Sequence, residues 1–244
     1  MDEWFSLISA GCALLPGAVH DLREAGFVLI PGPLASDRLA QLTAAYDSAV
    51  ASSTAEDRAI GSSTTRINDF VNRGPEFDWL YVYQPVLEAC CRIIGQPFKL
   101  STMHARTVRA YTQMQDLHVD IKREAPDWPL VGFILMVDEF SADNGATRFV
   151  PGSHEWPAMP VDFPQDTSAD YEGQALACGP AGSIIVYNGA VLHGHTANRS
   201  GEPRRSIQGA YIRRDAEPAV NQAVRIRPET AGRINDLAKY VLAV

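Results

Sequence analysis

Residues 115–120, Gln115-Asp116-Leu117-His118-Val119-Asp120, and residues 193–204, His193-Gly194-His195-Thr196-Ala197-Asn198-Arg199-Ser200-Gly201-Glu202-Pro203-Arg204, read as extended segments that deliver metal-ligating side chains. Side chains alternate between faces in extended backbone, so His118 and Asp120 project the same way and can grip one ion. An imidazole arriving from the second segment completes two histidines and a carboxylate, a set that leaves about three of six octahedral positions open on a ferrous ion. His193 and His195 both lie there, on one face of any strand. Arg204 opens a further stretch, Arg204 to Arg214, that reads as a strand. Its guanidinium is a rigid donor fork that matches a carboxylate, the type of group expected to fix the far end of a chelating 2-oxo diacid.

The rest of the chain reads as mainly β with flanking helices. Ser36 to Val50 has an N-cap candidate at Ser36 and apolar positions at Leu39, Leu42, Tyr46 and Val50, which predicts a helix packed on a sheet. Ala51 to Thr65 is rich in Ser, Thr and small residues and reads as a mobile loop. Val86, Leu87, Cys90, Ile93 and Ile94 recur at helical spacing, with Gly95 as the stop. Extended stretches follow at 98–100, 105–111, 130–137, 146–150, 183–187 and 206–212, separated by Gly and Pro turns. Together they predict a β-sandwich or jelly roll. Leu130 to Val137 is almost continuously apolar and reads as a strand buried on both faces. Pro157 to Glu172, with Asp162, Pro164, Asp166, Asp170 and Glu172, has little periodicity and reads as an exposed excursion.

On these segments the chain resembles the phytanoyl-CoA dioxygenase family of Fe(II)/2-oxoglutarate oxygenases. Leu22-Arg23-Glu24-Ala25-Gly26-Phe27-Val28-Leu29-Ile30-Pro31-Gly32 is similar to that family's entry helix and first strand. Asp143-Asn144-Gly145-Ala146-Thr147-Arg148-Phe149-Val150-Pro151-Gly152-Ser153-His154 resembles its most recognisable non-ligand signature, and the run from His193 to Arg204 closes the match. The resemblance implies a double-stranded β-helix core (jelly-roll, cupin-like) in one oxygenase domain spanning 1–244. It implies Fe(II), 2-oxoglutarate as cosubstrate and O2. It selects His193 as third ligand, because His193 stands where the family's ligand precedes the Asn-x-Ser, here Asn198 and Ser200, and the cosubstrate arginine, here Arg204. His195 then falls in a position close to the cosubstrate. Gln115 corresponds to a glutamine whose amide donates to 2-oxoglutarate, and Thr147 to a hydroxyl directed at it; each is equally readable as an ordinary strand residue. His154 matches a turn residue, while His20 and His104 have no partner at ligand spacing and read as surface or core. Asp120 occupies the place that the related halogenases leave open for halide, so hydroxylation or another oxidation begun by hydrogen abstraction is implied.

Two further readings fit the H-x-D alone: a cupin-like metal enzyme that uses no 2-oxoglutarate, and a non-catalytic binding module of the same fold. Arg204 and the motifs weigh against the first, the intact triad against the second. Composition is that of an acidic enzyme, with net charge −8. No basic stripe suggests nucleic acid, no apolar run suggests a membrane span, and the N-terminus lacks a positive signal region, so the location expected is cytoplasmic. Cys12, Cys90, Cys91 and Cys178 have no metal-ligand spacing. The oligomeric state is not legible. Candidate substrate contacts are Arg66, Asn68, Phe70, Ile121, Lys122 and Arg123, and the substrate expected is a small metabolite or natural-product intermediate. With 21 basic against 29 acidic residues, the composition favours a neutral or cationic molecule over an acyl-CoA.

Overall fold

Alternating burial along the strands fixes how the layers stack. The structure, a computed structural model, describes residues 2–32, 34–161, 163 and 166–244. In chain order its strands are β1 (Phe27–Ile30), β2 (Arg58–Ile60), β3 (Thr64–Ile67), β4 (Phe98–Val108), β5 (Leu130–Met136), β6 (Thr147–Phe149), β7 (Ala175–Ala177), β8 (Ile184–Asn188), β9 (His193–His195) and β10 (Arg204–Arg213). The helices are α1 (Glu3–Ser9), α2 (Pro16–Glu24), α3 (Ser36–Ala51), α4 (Gln84–Ile94), α5 (Gln222–Arg225), α6 (Pro228–Arg233) and α7 (Asp236–Leu242). Seven strands form an antiparallel sheet in the order β1-β8-β5-β10-β4-β3-β2, and three form a second in the order β7-β6-β9. This is the jelly-roll arrangement.

The central strand β5 shows why the sheet has two faces. Val131, Phe133 and Leu135 join one apolar cluster, which also takes in Ile8, Leu42, Leu87 and Leu242 of the helices. Ile134 and Met136 join another, with Ile185, Tyr187 and Phe149. The period of two thus sends one set of side chains to the helices and the other between the sheets. On β10 the same rule turns Ile207 and Tyr211 to the helical side and Arg204 and Gln208 inward, where they line a cavity with His193, His195 and Thr147 of the second sheet. Helix α4 ends at Gly95, whose left-handed φ of 70° closes its last turn as the sequence implies.

Three expectations need correction. Ser36 is not the N-cap of α3; Ala35 holds that position, without a side-chain hydrogen bond. Residues 98–100 and 105–111 are not separate extended pieces: the strand is continuous over 98–108, and its register against β10 shifts between Ala210 and Tyr211. Residues 51–65 are not simply a loop, because β2 and β3 pair there as an edge hairpin against β4. The β-branched Thr64 and Thr65 suit a strand once β2 and β4 pair with it on either side. Asp162 and Pro164 of the expected excursion lie outside the described residues. No described helix is long and apolar enough to cross a membrane.

Gly132 and Tyr187 are register partners, and a Cβ at Gly132 would fall 2.1 Å from Tyr187 Cζ. A buried aromatic ring in a paired strand cannot swing away cheaply, so Gly132→Ala should cost about 1–3 kcal/mol. The melting temperature should drop by roughly 2–4 °C for each kcal/mol. Gly232→Ala, which meets nothing within 4 Å, is the control and should not lower it. Equal melting curves for the two variants would mean that Tyr187 is not packed as described.

Candidate metal centre

The chain between β4 and β5 follows no regular strand, yet it is pinned residue by residue to the second sheet. Gln115 N–H donates to His195 O at 2.9 Å, and His118 and His193 exchange both backbone hydrogen bonds at 2.9 Å. The amides of Asp120 and Ile121 then both donate to Gly189 O. His118 therefore sits on an isolated bridge rather than in a full strand, but its backbone is extended enough to bring Asp120 round to the same side. The outcome is a group of three side chains, His118, Asp120 and His193, whose ligand atoms lie within 4.8 Å of one another, the sole such group found among the described residues. The two imidazoles stand 4.5 Å apart centre to centre, and His193 Nε2 lies 3.7 Å from Asp120 Oδ1.

Their surroundings prepare all three for a cation. His118 Nδ1 lies 2.9 Å from Asp116 O and His193 Nδ1 lies 3.0 Å from Val191 O. A carbonyl only accepts, so each Nδ1 carries the proton and each Nε2 keeps its lone pair free. Burial lowers the proton affinity of His193, although Asp120 pulls the other way. Tyr187 donates its hydroxyl to Asp120 Oδ2 at 2.7 Å, which leaves Oδ1 toward His193. Burial, reinforced by the Asp120 charge, raises the Tyr187 phenol well above its usual range, so it remains a donor.

His195 is engaged elsewhere. Its Nδ1 donates to Thr196 O at 2.8 Å, and its Nε2 is 3.0 Å from Ser63 Oγ, so both nitrogens have partners. Thr147 is its register partner across β6 and β9, and both line the cavity, whose volume is about 390 Å³. Gln115 lines it too, with Oε1 accepting from Arg106 Nη2 at 3.0 Å. That contact settles which end of the amide is oxygen and leaves the NH2 end free to donate.

Arg204 is 2% exposed. It donates to Gly145 O at 2.6 Å and Ser206 Oγ at 3.2 Å, and lies 3.9 Å over the Phe140 ring. Its Nε has no partner, and no carboxylate bonds to it among the described residues. Burial, with Arg106 adding to it, pushes the guanidinium down to about 9, the opposite of what a carboxylate partner would do. Arg205 faces the helical side, bonded to Asp138 and Asp47.

Of the six candidate substrate contacts, only Arg66 lines this cavity. Phe70 is buried in the core, and Ile121, Lys122 and Arg123 line a separate outer groove. His154 is buried, its Nε2 3.0 Å from Arg23 O, and His20 is exposed. His104 proves to be a buried residue of the cavity wall. Four residues around the site, Tyr187, Ser63, Arg106 and Arg148, were not expected from the sequence. Tyr187 was the most findable, a polar tip alternating with Ile185 after the apolar run Ile184 to Val186. Arg148 is fully buried and donates to the carbonyls of Gln115, Thr167 and Ala169 and to Gln174 Oε1, tying residues 167–174 to the site.

Residues 22–206 match the family model described as phytanoyl-CoA dioxygenase. Among curated proteins the chain is similar to dioxygenase aneA of Aspergillus aculeatus, 28% identical over 62% of this chain and 55% of that protein. It is also similar to multifunctional dioxygenase ausE of Emericella nidulans, 28% identical over 80% and 72%. The match thus spans little more than half the length of aneA. Among solved structures the fold resembles HygX from Streptomyces hygroscopicus with nickel and 2-oxoglutarate bound, at TM-score 0.70 and 15% identity over 84% of this chain and 90% of that one. The carbocyclase SnoK from nogalamycin biosynthesis follows at TM-score 0.68 and 18% identity over 88% and 92%.

If His118, Asp120 and His193 hold a divalent ion, removing one leaves two, too few to hold it tightly against water. His193→Ala should therefore lose stoichiometric Co(II) in equilibrium dialysis, while His195→Ala keeps it; the reverse pattern would move the ligand to His195. A second expectation concerns acid. Burial lowers the His195 pKa to about 4, against about 6.5 in an unfolded chain. Between those values the unfolded state binds more protons, so the stability due to a neutral His195 is complete above about pH 6.5 and is lost as pH falls through about 4, by roughly 3 kcal/mol. Urea midpoints across this range should fall less steeply in His195→Gln, and parallel curves would contradict the assignment.

Proposed function

Because the chain belongs to the phytanoyl-CoA dioxygenase family, we propose that it is an Fe(II)- and 2-oxoglutarate-dependent oxygenase that oxidises a small organic molecule by C–H abstraction, with succinate and CO2 as coproducts. His118, Asp120 and His193 would hold the ferrous ion, for which two neutral imidazoles and one carboxylate on one side are a fitting donor set. Arg204 would hold the C5 carboxylate of 2-oxoglutarate. Thr147, the free amide end of Gln115 and the His195 ring would border the same molecule. Residues 1–244 are read as one oxygenase domain, a reading supported by an apolar cluster that reaches from Ile8 to Leu242.

The observation that carries this reading is the buried Arg204 guanidinium, which lines the cavity and has no carboxylate partner among the described residues. A buried charge without a counter-charge is costly, and a carboxylate entering the cavity would supply one. A cupin-like enzyme without 2-oxoglutarate would have no use for such a residue.

When bound together, the metal, 2-oxoglutarate and O2 supply an oxidant able to break an unactivated C–H bond. The chain's own part is to bind, orient and keep water out. Tyr187 holds Asp120 with one oxygen toward the metal position. The Nδ1 bonds of His118 and His193 fix their tautomers. Asp120 fills the place a halide would need, so the product expected carries oxygen, or a new double bond or ring, and no halogen. HygX has been captured with hygromycin B and SnoK belongs to nogalamycin biosynthesis; in keeping with them, the substrate is read as a natural-product intermediate.

Arg204→Lys keeps the charge but loses the planar fork. Charge-assisted hydrogen bonds are worth about 1.5–3 kcal/mol, so the apparent 2-oxoglutarate affinity, read from succinate formation, should fall on the order of tenfold or more. Arg205→Lys, on the other face, should leave it unchanged. An unaltered affinity in Arg204→Lys would place the distal carboxylate elsewhere.

A further inference from the structure

Arg66 and Arg106 stand directly opposite each other across β3 and β4, on the inner face of the large sheet, and both line the cavity. Like charges in that position repel. Neither guanidinium has a carboxylate within ion-pair distance among the described residues. Arg106 donates only to the side-chain carbonyls of Gln115 and Gln208, while Arg66 stands exposed at the mouth.

A second, independent observation lies on the same face. His104 precedes Arg106 by two positions in β4, is 7% exposed, and has no hydrogen-bond partner on either ring nitrogen. Gln208, its register partner on β10, makes long contacts to Arg106 and Ser206 Oγ and is the one amide among the described residues near enough to act on the His104 ring. A buried imidazole on the cavity wall, with at most one amide beside it and no bond of ordinary length, leaves hydrogen-bonding capacity for a ligand.

Charge balance shows what kind. On the reading of the preceding subsection, a ferrous ion, Asp120, dianionic 2-oxoglutarate and Arg204 sum to neutrality. Arg66 and Arg106 are then left over, beside a cavity whose sole lining carboxylate among the described residues is Asp120. We propose that Arg66, Arg106 and His104 form a binding subsite for an oxyanion of the substrate, carboxylate or phosphate, so that the molecule oxidised is an organic anion. This inference rests on the oxygenase reading and deepens it. The two guanidiniums supply forked donors, and a carboxylate or phosphate between them turns their repulsion into attraction. Burial, helped by the two arginines, pushes His104 down to about 3, so its ring is neutral and offers one N–H to the anion and one acceptor to a neighbouring hydroxyl or amide. Net charge −8 argued for a neutral or cationic substrate, but it averages over the whole surface; inside the cavity the sign is reversed.

The test uses protein loaded anaerobically with Fe(II) and excess radiolabelled 2-oxoglutarate. It is titrated by calorimetry with cyclohexanecarboxylate, 1-naphthoate and adamantane-1-carboxylate, with the carboxamide of each, and with phenyl phosphate beside phenol. The anions should bind tenfold or more tighter than their neutral counterparts without displacing the label, and whichever anion type wins names the group. Arg66→Gln and Arg106→Gln should reduce that preference to about threefold or less. Arg106→Lys, which retains the charge, should keep part of it and serves if Arg106→Gln does not fold. Neutral probes binding as well as anions, or an anion preference that survives both Gln variants, would overturn the proposal. So would Arg66→Gln releasing the labelled 2-oxoglutarate with the anion preference unchanged, because the pair would then serve the cosubstrate. If the wild type retains no label at all, the oxygenase reading has failed instead. The anion-over-neutral comparison is then made on the protein alone, where a tenfold preference lost in the Gln variants supports the subsite and equal binding overturns it.

Discussion

The reciprocal pair of backbone hydrogen bonds between His118 and His193 is the contact on which the site depends. It joins a segment with no strand of its own to the edge of the small sheet, and it places two imidazoles from distant parts of the chain 4.5 Å apart. Asp120 follows by simple alternation and is held by Gly189 O behind it and Tyr187 in front. Gly194, between the two histidines of β9, lets this happen: a Cβ there would lie 2.8 Å from Gln115 O. A side chain at that position would push the 115–118 segment off the sheet and separate the two imidazoles.

Around this centre the protein carries positive charge that its own residues do not neutralise. Arg204 is buried against Phe140 and the Gly145 carbonyl, contacts that soften desolvation without supplying a counter-charge. Arg148, equally buried, donates to carbonyl oxygens through both terminal nitrogens, its Nε unpaired like that of Arg204, and ties strand β6 to residues 167–174. Because Arg148 does not line the cavity it reads as structural, whereas Arg204, Arg106 and Arg66 line it and read as binding groups.

Much of this was legible in the sequence because it depends on short-range periodicity. Alternation predicted that His118 and Asp120 would converge, and the nearly unbroken apolar run predicted that Leu130 to Val137 would be buried on both faces. Helical spacing and Gly95 predicted α4. What escaped depends on contacts between distant segments. The Ser- and Thr-rich stretch 51–65 reads as a loop because nothing local shows that β4 will offer it an edge. His104 had no partner at ligand spacing, and its significance appears only when β3 and β10 bring Arg66 and Gln208 beside β4. Ser63 and Tyr187 likewise acquire roles from His195 and Asp120, residues remote in sequence. Net charge averages over the whole surface, where acidic residues elsewhere outweigh a small inward-facing cluster of arginines.

The central claim is that one cavity holds a ferrous ion and 2-oxoglutarate together, the diacid chelating the metal at one end and reaching Arg204 at the other. Anaerobic titration of the Fe(II)-loaded protein with 2-oxoglutarate, followed by visible absorption, tests it most directly. The account predicts that the weak metal-to-ligand charge-transfer band of the chelate appears and saturates at one 2-oxoglutarate per iron. Iron bound at full stoichiometry with no such band at any 2-oxoglutarate concentration would contradict it.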